Sequence, residues 1–181
     1  SKESKRAEAK MSIPLLLTVI LFTPAAGAVL LLLAPADDGA IRRLSIRLSL
    51  IPLVLSGALW LAYNQAAGAL QFHEVYTWIP SLNVRYHLGV DGLSIPFIFL
   101  TTLLTTLALY YSARSQHVTR RVREFCVLFL VLETGLLGVF MALAAVLFYI
   151  FWEIGLLPMF LMIGMWGGAP DRPQYAAIKF F

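Results

Sequence analysis

Apolar residues gather in long blocks set apart by short charged or polar breaks. The first block, residues 13–34, is interrupted only by Thr18, Thr23 and Pro24. It is long enough for the roughly 20 residues a membrane-spanning helix needs. Pro24 predicts a kink, which a bundle tolerates when its neighbours satisfy the freed carbonyl. A polar turn at 35–39 leads through Arg42, Arg43 and Arg47 into a second span, about 44–63. The long connection 64–90 follows, with Trp78, Pro80 and Tyr86, and with two stretches of strand composition at 75–78 and 83–87. Aromatic, β-capable loops of this kind belong at a membrane–water interface.

A third span covers about 93–111, with Asp91 placed to accept the orphan amide protons of its first turn. Past the basic loop Arg114, Arg120, Arg121 and Arg123, residues 125–165 are almost unbroken apolar sequence, about twice the length of one span. They split near 143–145 into spans 125–143 and 144–166, joined by a tight turn. A Gly/Pro loop at 167–173 precedes residues 174–181, which read as the opening of a sixth helix. Residues 1–10 are polar, basic and aperiodic; they read as a solvated tail, with residues 11–181 forming one transmembrane helical domain.

Composition agrees. The chain of 181 residues is 60% apolar and 13% charged, with mean hydropathy +0.80. A water-soluble domain of about 25% charged residues has a surface this chain cannot supply. The class is therefore an all-α integral membrane protein, a multi-helix transmembrane bundle; a soluble enzyme and a disordered chain are excluded. The net charge of +4 sits between apolar blocks rather than in a stripe, which argues for membrane-flanking charge and against nucleic acid. Arg42, Arg43, Arg47, Arg114, Arg120, Arg121, Arg123, Arg172 and Lys179 fall on one side, and Arg85 on the other with the N-terminal tail. That bias predicts a cytoplasmic basic side, with Met11 on the opposite, non-cytoplasmic side.

Two charges lie inside spans, Glu133 in the fourth and Glu153 in the fifth. A carboxylate near the bilayer centre costs at least about 2.5–3.5 kcal/mol, so such residues normally face the bundle interior and mark ion or proton paths. Counted from the turn, both lie about 15 Å deep, at matching levels on antiparallel helices. If they face each other, repulsion and desolvation let one of them hold a proton near neutrality. The other reading makes each a protonated, hydrogen-bonded contact between helices. Pro158 leaves the Ile154 carbonyl without its usual donor, one turn past Glu153. Gly135, Gly138 and Gly155 read as packing positions. His73, His87 and His117 lie in loops and show no metal-ligand spacing along the chain. With one cysteine, Cys126, and no nucleotide, haem or metalloprotease motif, the chain itself is expected to hold no cofactor and no metal.

Several stretches together resemble a known family. They are Val90-Asp91-Gly92-Leu93-Ser94, Leu137-Gly138-Val139-Phe140 and Leu147-Phe148-Tyr149-Ile150-Phe151-Trp152-Glu153. Leu157-Pro158-Met159-Phe160-Leu161-Met162-Ile163-Gly164, Trp166-Gly167-Gly168 and Tyr175-Ala176-Ala177-Ile178-Lys179-Phe180-Phe181 continue the match. The chain resembles the subunit M (chain-4 type) family of proton-translocating NADH–quinone oxidoreductase, respiratory complex I. The resemblance implies an antiporter-like subunit of about fourteen helices in inverted repeats, of which this chain would be the N-terminal portion. It implies that Glu153 is the essential acid of a proton half-channel, paired with a lysine on a seventh helix that this chain lacks. Lys179 matches a family lysine at the start of the sixth helix, either functional or an interfacial anchor. Glu133 carries no family role and stands as a possible relay on its position alone.

The same resemblance implies that NADH, FMN, iron–sulfur clusters and quinone reside in partner subunits, so no redox chemistry occurs on this chain. Its partners would be other membrane-arm subunits, including antiporter-like neighbours, in a bacterial or mitochondrial inner membrane. Two other functions compete. One is a subunit of a multisubunit cation/proton antiporter or membrane-bound hydrogenase; the other is a purely structural membrane subunit.

Overall fold

The computed structural model describes residues 15–64, 70–82, 84–115 and 118–167. The tail, Met11, His117, Arg172, Lys179 and the expected sixth helix lie outside the described residues. Among the described residues five α-helices form: α1 (Leu16–Leu33), α2 (Asp38–Ala62), α3 (Ser94–Ser115), α4 (Val122–Met141) and α5 (Ala145–Trp166). All five are long and apolar enough to cross a membrane. Between α2 and α3 stand two antiparallel strands, β1 (Gln71–Ile79) and β2 (Val84–Val90), with a 3₁₀ turn at Pro80–Leu82 between them. Strands occur where aromatic, β-capable composition anticipated them, and they run longer than expected because the pairing continues from Val75↔His87 to Gln71↔Val90.

Helix ends follow local hydrogen-bonding chemistry rather than the edges of the apolar blocks. Helix α2 starts well before residue 44 because Asp37 caps it, accepting from the Gly39 and Ala40 amides at 3.1 and 3.3 Å. Arg42, Arg43 and Arg47 thus lie within the helix. Asp91 caps α3 as anticipated: one carboxylate oxygen accepts from the amides of Leu93 (3.1 Å) and Ser94 (2.7 Å) and from the Ser94 hydroxyl (2.8 Å). Helix α4 ends at Met141 because Ala142 leaves it to pair with Leu88 of β2, and the Leu143 amide donates to the His87 carbonyl at 2.9 Å. The hairpin therefore sits against the α4–α5 turn.

The same end of the bundle holds a cap that comes from far along the chain. Helix α1 has no capping side chain of its own. Glu74 of β1, 7% exposed, takes that place: it accepts from the Leu17 amide (2.7 Å), the Thr18 amide (3.1 Å) and the Thr18 hydroxyl. Thr18 Oγ1 also lies 2.9 Å from the Tyr86 hydroxyl of β2. A carboxylate at this point satisfies orphan amides and meets the positive end of the helix dipole.

At the other end, arginines bond carbonyls of last helical turns and of the adjoining loops, with Arg123 reaching Leu32 of α1 at 3.4 Å. Arg42 donates to the carbonyls of Ser112 (3.0 Å) and Val118, and Arg123 to that of Ala36 (3.0 Å). The bundle thus has a hairpin end and an arginine end.

Apolar side chains fill the interior, among them Leu17, Ile20, Leu59, Ile98, Leu137 and Phe151 near the hairpin end and Leu31, Ile41, Leu109 and Leu130 near the arginine end. Small residues set the closest approach. A Cβ on Gly135 would stand 2.6 Å from the Gly155 amide nitrogen, and one on Gly138 would stand 2.0 Å from Cγ of Phe151. Helices α4 and α5 thus touch through backbone at one level and through ring against backbone one turn on. The α2–α3 seam is polar instead. Ser56 and Thr102 hydroxyls lie 2.8 Å apart, and the Thr106 hydroxyl donates to the Ser49 carbonyl at 3.1 Å.

Gly138→Ala is expected to destabilise the fold by about 1–3 kcal/mol through overpacking. Thermal unfolding in detergent should show the double variant Gly138→Ala/Phe151→Leu less destabilised than the two single losses added together. Asp91→Ala should cost about 1 kcal/mol at neutral pH. The hydrogen bonds from Ser94 hold the Asp91 carboxyl below its ordinary range. Its stabilisation is thus present above that range and lost as pH falls through the lowered value, so wild type and variant should converge in acid.

Candidate functional site

Glu133 lies within α4 and is completely buried, at 0% exposure. Neither carboxylate oxygen has a hydrogen-bond partner among the described residues. The burial comes from helix rotation. Gly135 and Gly138 turn one side of α4 to α5. Glu133, two residues before Gly135, is about 200° around the helix from it and faces the opposite way, into the bundle. Cys126, two turns earlier on the same side of α4, meets the Ser45 hydroxyl of α2. That side of α4 consequently looks toward the helix that carries Ser45, Ser49 and Ser56, all buried. The adjoining α3 buries Thr101, Thr102, Thr105 and Thr106. Glu133 is the only carboxylate in the described part of this hydroxyl-rich interior.

Glu153 has a different setting. Helix α5 buries Leu147, Phe151, Gly155 and Pro158, a stripe turned toward α4. Glu153 is about 200° from both Phe151 and Gly155, hence on the far side of α5. It is partly exposed, and the Tyr149 hydroxyl one turn before it interacts with its carboxylate. Helix α5 is the most peripheral of the five, 17% buried over its span against 50% for α4. The two carboxylates do lie at comparable distances from the turn, Glu133 eight residues before Met141 and Glu153 eight after Ala145. They do not face each other: the glycine contact that joins their helices turns them to opposite sides. Pro158 belongs to the α4-facing stripe, and α5 continues through it unbroken.

Residues 44–141, from α2 to the end of α4, match the family described as NADH-ubiquinone oxidoreductase chain 4, amino terminus. The chain belongs to this family. The matched stretch contains Asp91 and Glu133, while Glu153 lies beyond it. NADH-quinone oxidoreductase subunit M of Rhodobacter capsulatus is 43% identical over 171 residues, covering 92% of this chain and 32% of the relative. In three dimensions the chain is similar to a chain of respiratory complex I from Thermus thermophilus with bound NADH, at TM-score 0.71 and 27% identity over 89% of this chain and 31% of that one. The archaeal membrane-bound sulfane sulfur reductase complex shares the fold, at TM-score 0.70 and 22% identity, over 89% of this chain and 24% of that one. The chain spans about a third of the length of the relatives it matches. Family and fold together identify an integral, multi-pass membrane protein of the chain 4 type.

Glu74 went unnoticed in the sequence. A single acid in a β-capable loop carries no mark of its target, since α1 lies more than fifty residues away. The buried hydroxyl seam of the chain 4 bundle also went unread, although Ser45, Ser49, Pro52 and Ser56 recur at helical spacing along one side of α2.

Replacing Glu133 by Leu removes a buried polar group without partners, so the thermal midpoint of the folded protein should stay level or rise. A carboxyl that held helices together would instead cost about 1–3 kcal/mol when lost. Thermal unfolding in detergent separates the two.

Proposed function

We propose that this chain forms part of a proton-translocating membrane-arm subunit of NADH–quinone oxidoreductase, with its intramembrane carboxylates on the proton path. The observation that carries this reading is Glu133, wholly buried, without a hydrogen-bond partner among the described residues, on the side of α4 turned toward the serine-bearing α2. An ionisable group kept in a bundle interior at this cost, with no structural partner, fits ion or proton transfer better than packing. Membership of the chain 4 family and the likeness to a complex I chain support the same reading.

In this proposal Glu153 is the principal proton-exchanging group, on the side of α5 turned away from the five-helix core. A cation moving toward a carboxylate favours release of its proton, and its departure favours return. A lysine from elsewhere in the full protein would supply that cation, and Lys179 would be a second basic group in the same scheme or an interfacial anchor. Glu133 would serve the opposite side of α4 as a relay. NADH, FMN, iron–sulfur clusters and quinone are assigned to partner subunits, which would drive the cycle from the membrane arm. The excess of arginine over the hairpin end orients the arginine end to the cytoplasm and the hairpin to the other side.

The likeness to the sulfane sulfur reductase complex shows the same fold in a differently named respiratory assembly, so a related antiporter or hydrogenase subunit is the second reading. Proton uptake by proteoliposomes containing the intact complex, driven by NADH and quinone, tests both. Glu153→Gln should abolish most of the uptake per NADH oxidised while the assembly stays intact. Unchanged uptake in both Glu153→Gln and Glu133→Gln would reduce the chain to a structural subunit. No NADH-driven activity in the unmutated assembly would favour the second reading.

A further inference from the structure

The hairpin brings together two histidines that are fourteen residues apart in sequence. His73 Nδ1 and His87 Nε2 are 3.4 Å apart, with ring centroids at 5.7 Å and ring planes inclined by 34°. Pairing alone would not align them, since Val75 is the partner of His87. An irregularity in β1 between Gln71 and Glu74, with Phe72 at φ 56°, turns His73 toward β2. Gly89 of β2 lies beside the His73 ring, with the site of a Cβ in ordinary contact distance of Nδ1 at 3.6 Å.

The hydrogen bonding sets the protons. His73 Nε2 lies 3.1 Å from the Leu70 carbonyl, which can only accept, so Nε2 carries the hydrogen. In the neutral ring Nδ1 then carries the lone pair, on the side of His87 Nε2. A carbonyl holding the far nitrogen of an imidazole is the usual support of a metal-binding histidine, fixing tautomer and ring orientation. The separation of 3.4 Å is long for a hydrogen bond between two ring nitrogens. It matches the edge of a tetrahedron with metal–nitrogen bonds of about 2.0–2.1 Å, which is about 3.3–3.4 Å. His87 is also held on a firm base, its carbonyl accepting from the Leu143 amide of the α4–α5 turn. Desolvation, then His73 and Arg85, lower its proton affinity.

We propose that His73 and His87 form a two-histidine site for a divalent transition metal, of the zinc or copper class, at the hairpin end. Imidazole nitrogen selects these ions over magnesium and calcium. No group of three or more metal-ligating side chains occurs among the described residues, so water completes the coordination. Arg85, two residues before His87 on the same strand face, opposes the cation and limits the affinity. Bound metal ties β1 to β2 next to the contact with the α4–α5 turn. The site does not depend on the proton-transfer reading.

Diethylpyrocarbonate modification of the assembled complex, read by mass spectrometry of the hairpin peptides, tests the site directly. Both histidines should react without metal and be protected together by zinc, whereas magnesium at the same concentration should protect neither. In His87→Ala, the zinc concentration that half-protects His73 should rise at least about tenfold, and His73→Ala should do the same for His87. Protection of His73 at an unchanged concentration in His87→Ala would overturn the site. Equal protection by magnesium, no protection by zinc, or failure of the pair to react in metal-free complex would do so equally.

Discussion

Within a bilayer no water is available to bond an exposed amide or carbonyl, so each helix must satisfy its own ends at the interfaces. The rest of this structure is organised around that constraint. Carboxylates close helix starts, Asp91 for α3 and Glu74 for α1 at the hairpin end and Asp37 for α2 at the other. At the arginine end guanidinium groups meet carbonyls of last helical turns, Arg42 at Ser112 of α3 and Arg123 at Leu32 of α1. The arginines that orient the chain in a membrane thus also finish two of its helices. Sign agrees as well, because carboxylates meet helix N-termini and arginines meet helix C-termini.

The hairpin extends this logic into tertiary structure. Its strands give Glu74 and Tyr86 to the start of α1 and pair with the α4–α5 turn through Leu88 and His87. Two connections that the chain separates widely are thereby fixed against one small sheet. A loop that composition suggested was merely interfacial is a strut between the first helix and the last two.

Helix rotation decides the chemistry of the interior. Gly135 and Gly155 let α4 and α5 meet backbone to backbone, and Gly138 admits the Phe151 ring. Because these residues fix which sides meet, Glu133 is turned inward to the serine- and threonine-bearing helices and Glu153 outward. One carboxylate is enclosed by this bundle; the other lies on the side of α5 that the five helices do not cover. A single pair of facing acids is replaced by two separate positions on either side of one seam.

The sequence by itself determined the number of spans, the turn after α4, the cap at Asp91, the charge bias and the two intramembrane acids. Each depends on local composition: apolar length sets a span, and a carboxylate beside a helix start finds its amides without leaving the neighbourhood. The early start of α2 was also local, in Asp37, but the arginines that follow obscured it. Tertiary structure alone decided the rest. Glu74 reaches α1, His73 meets His87, and the two glutamates face apart because strand pairing and glycine contacts bring distant backbone together. Residue spacing along the chain carries depth in the membrane, since rise per residue is constant, but it does not carry rotation, which only packing against another helix can fix.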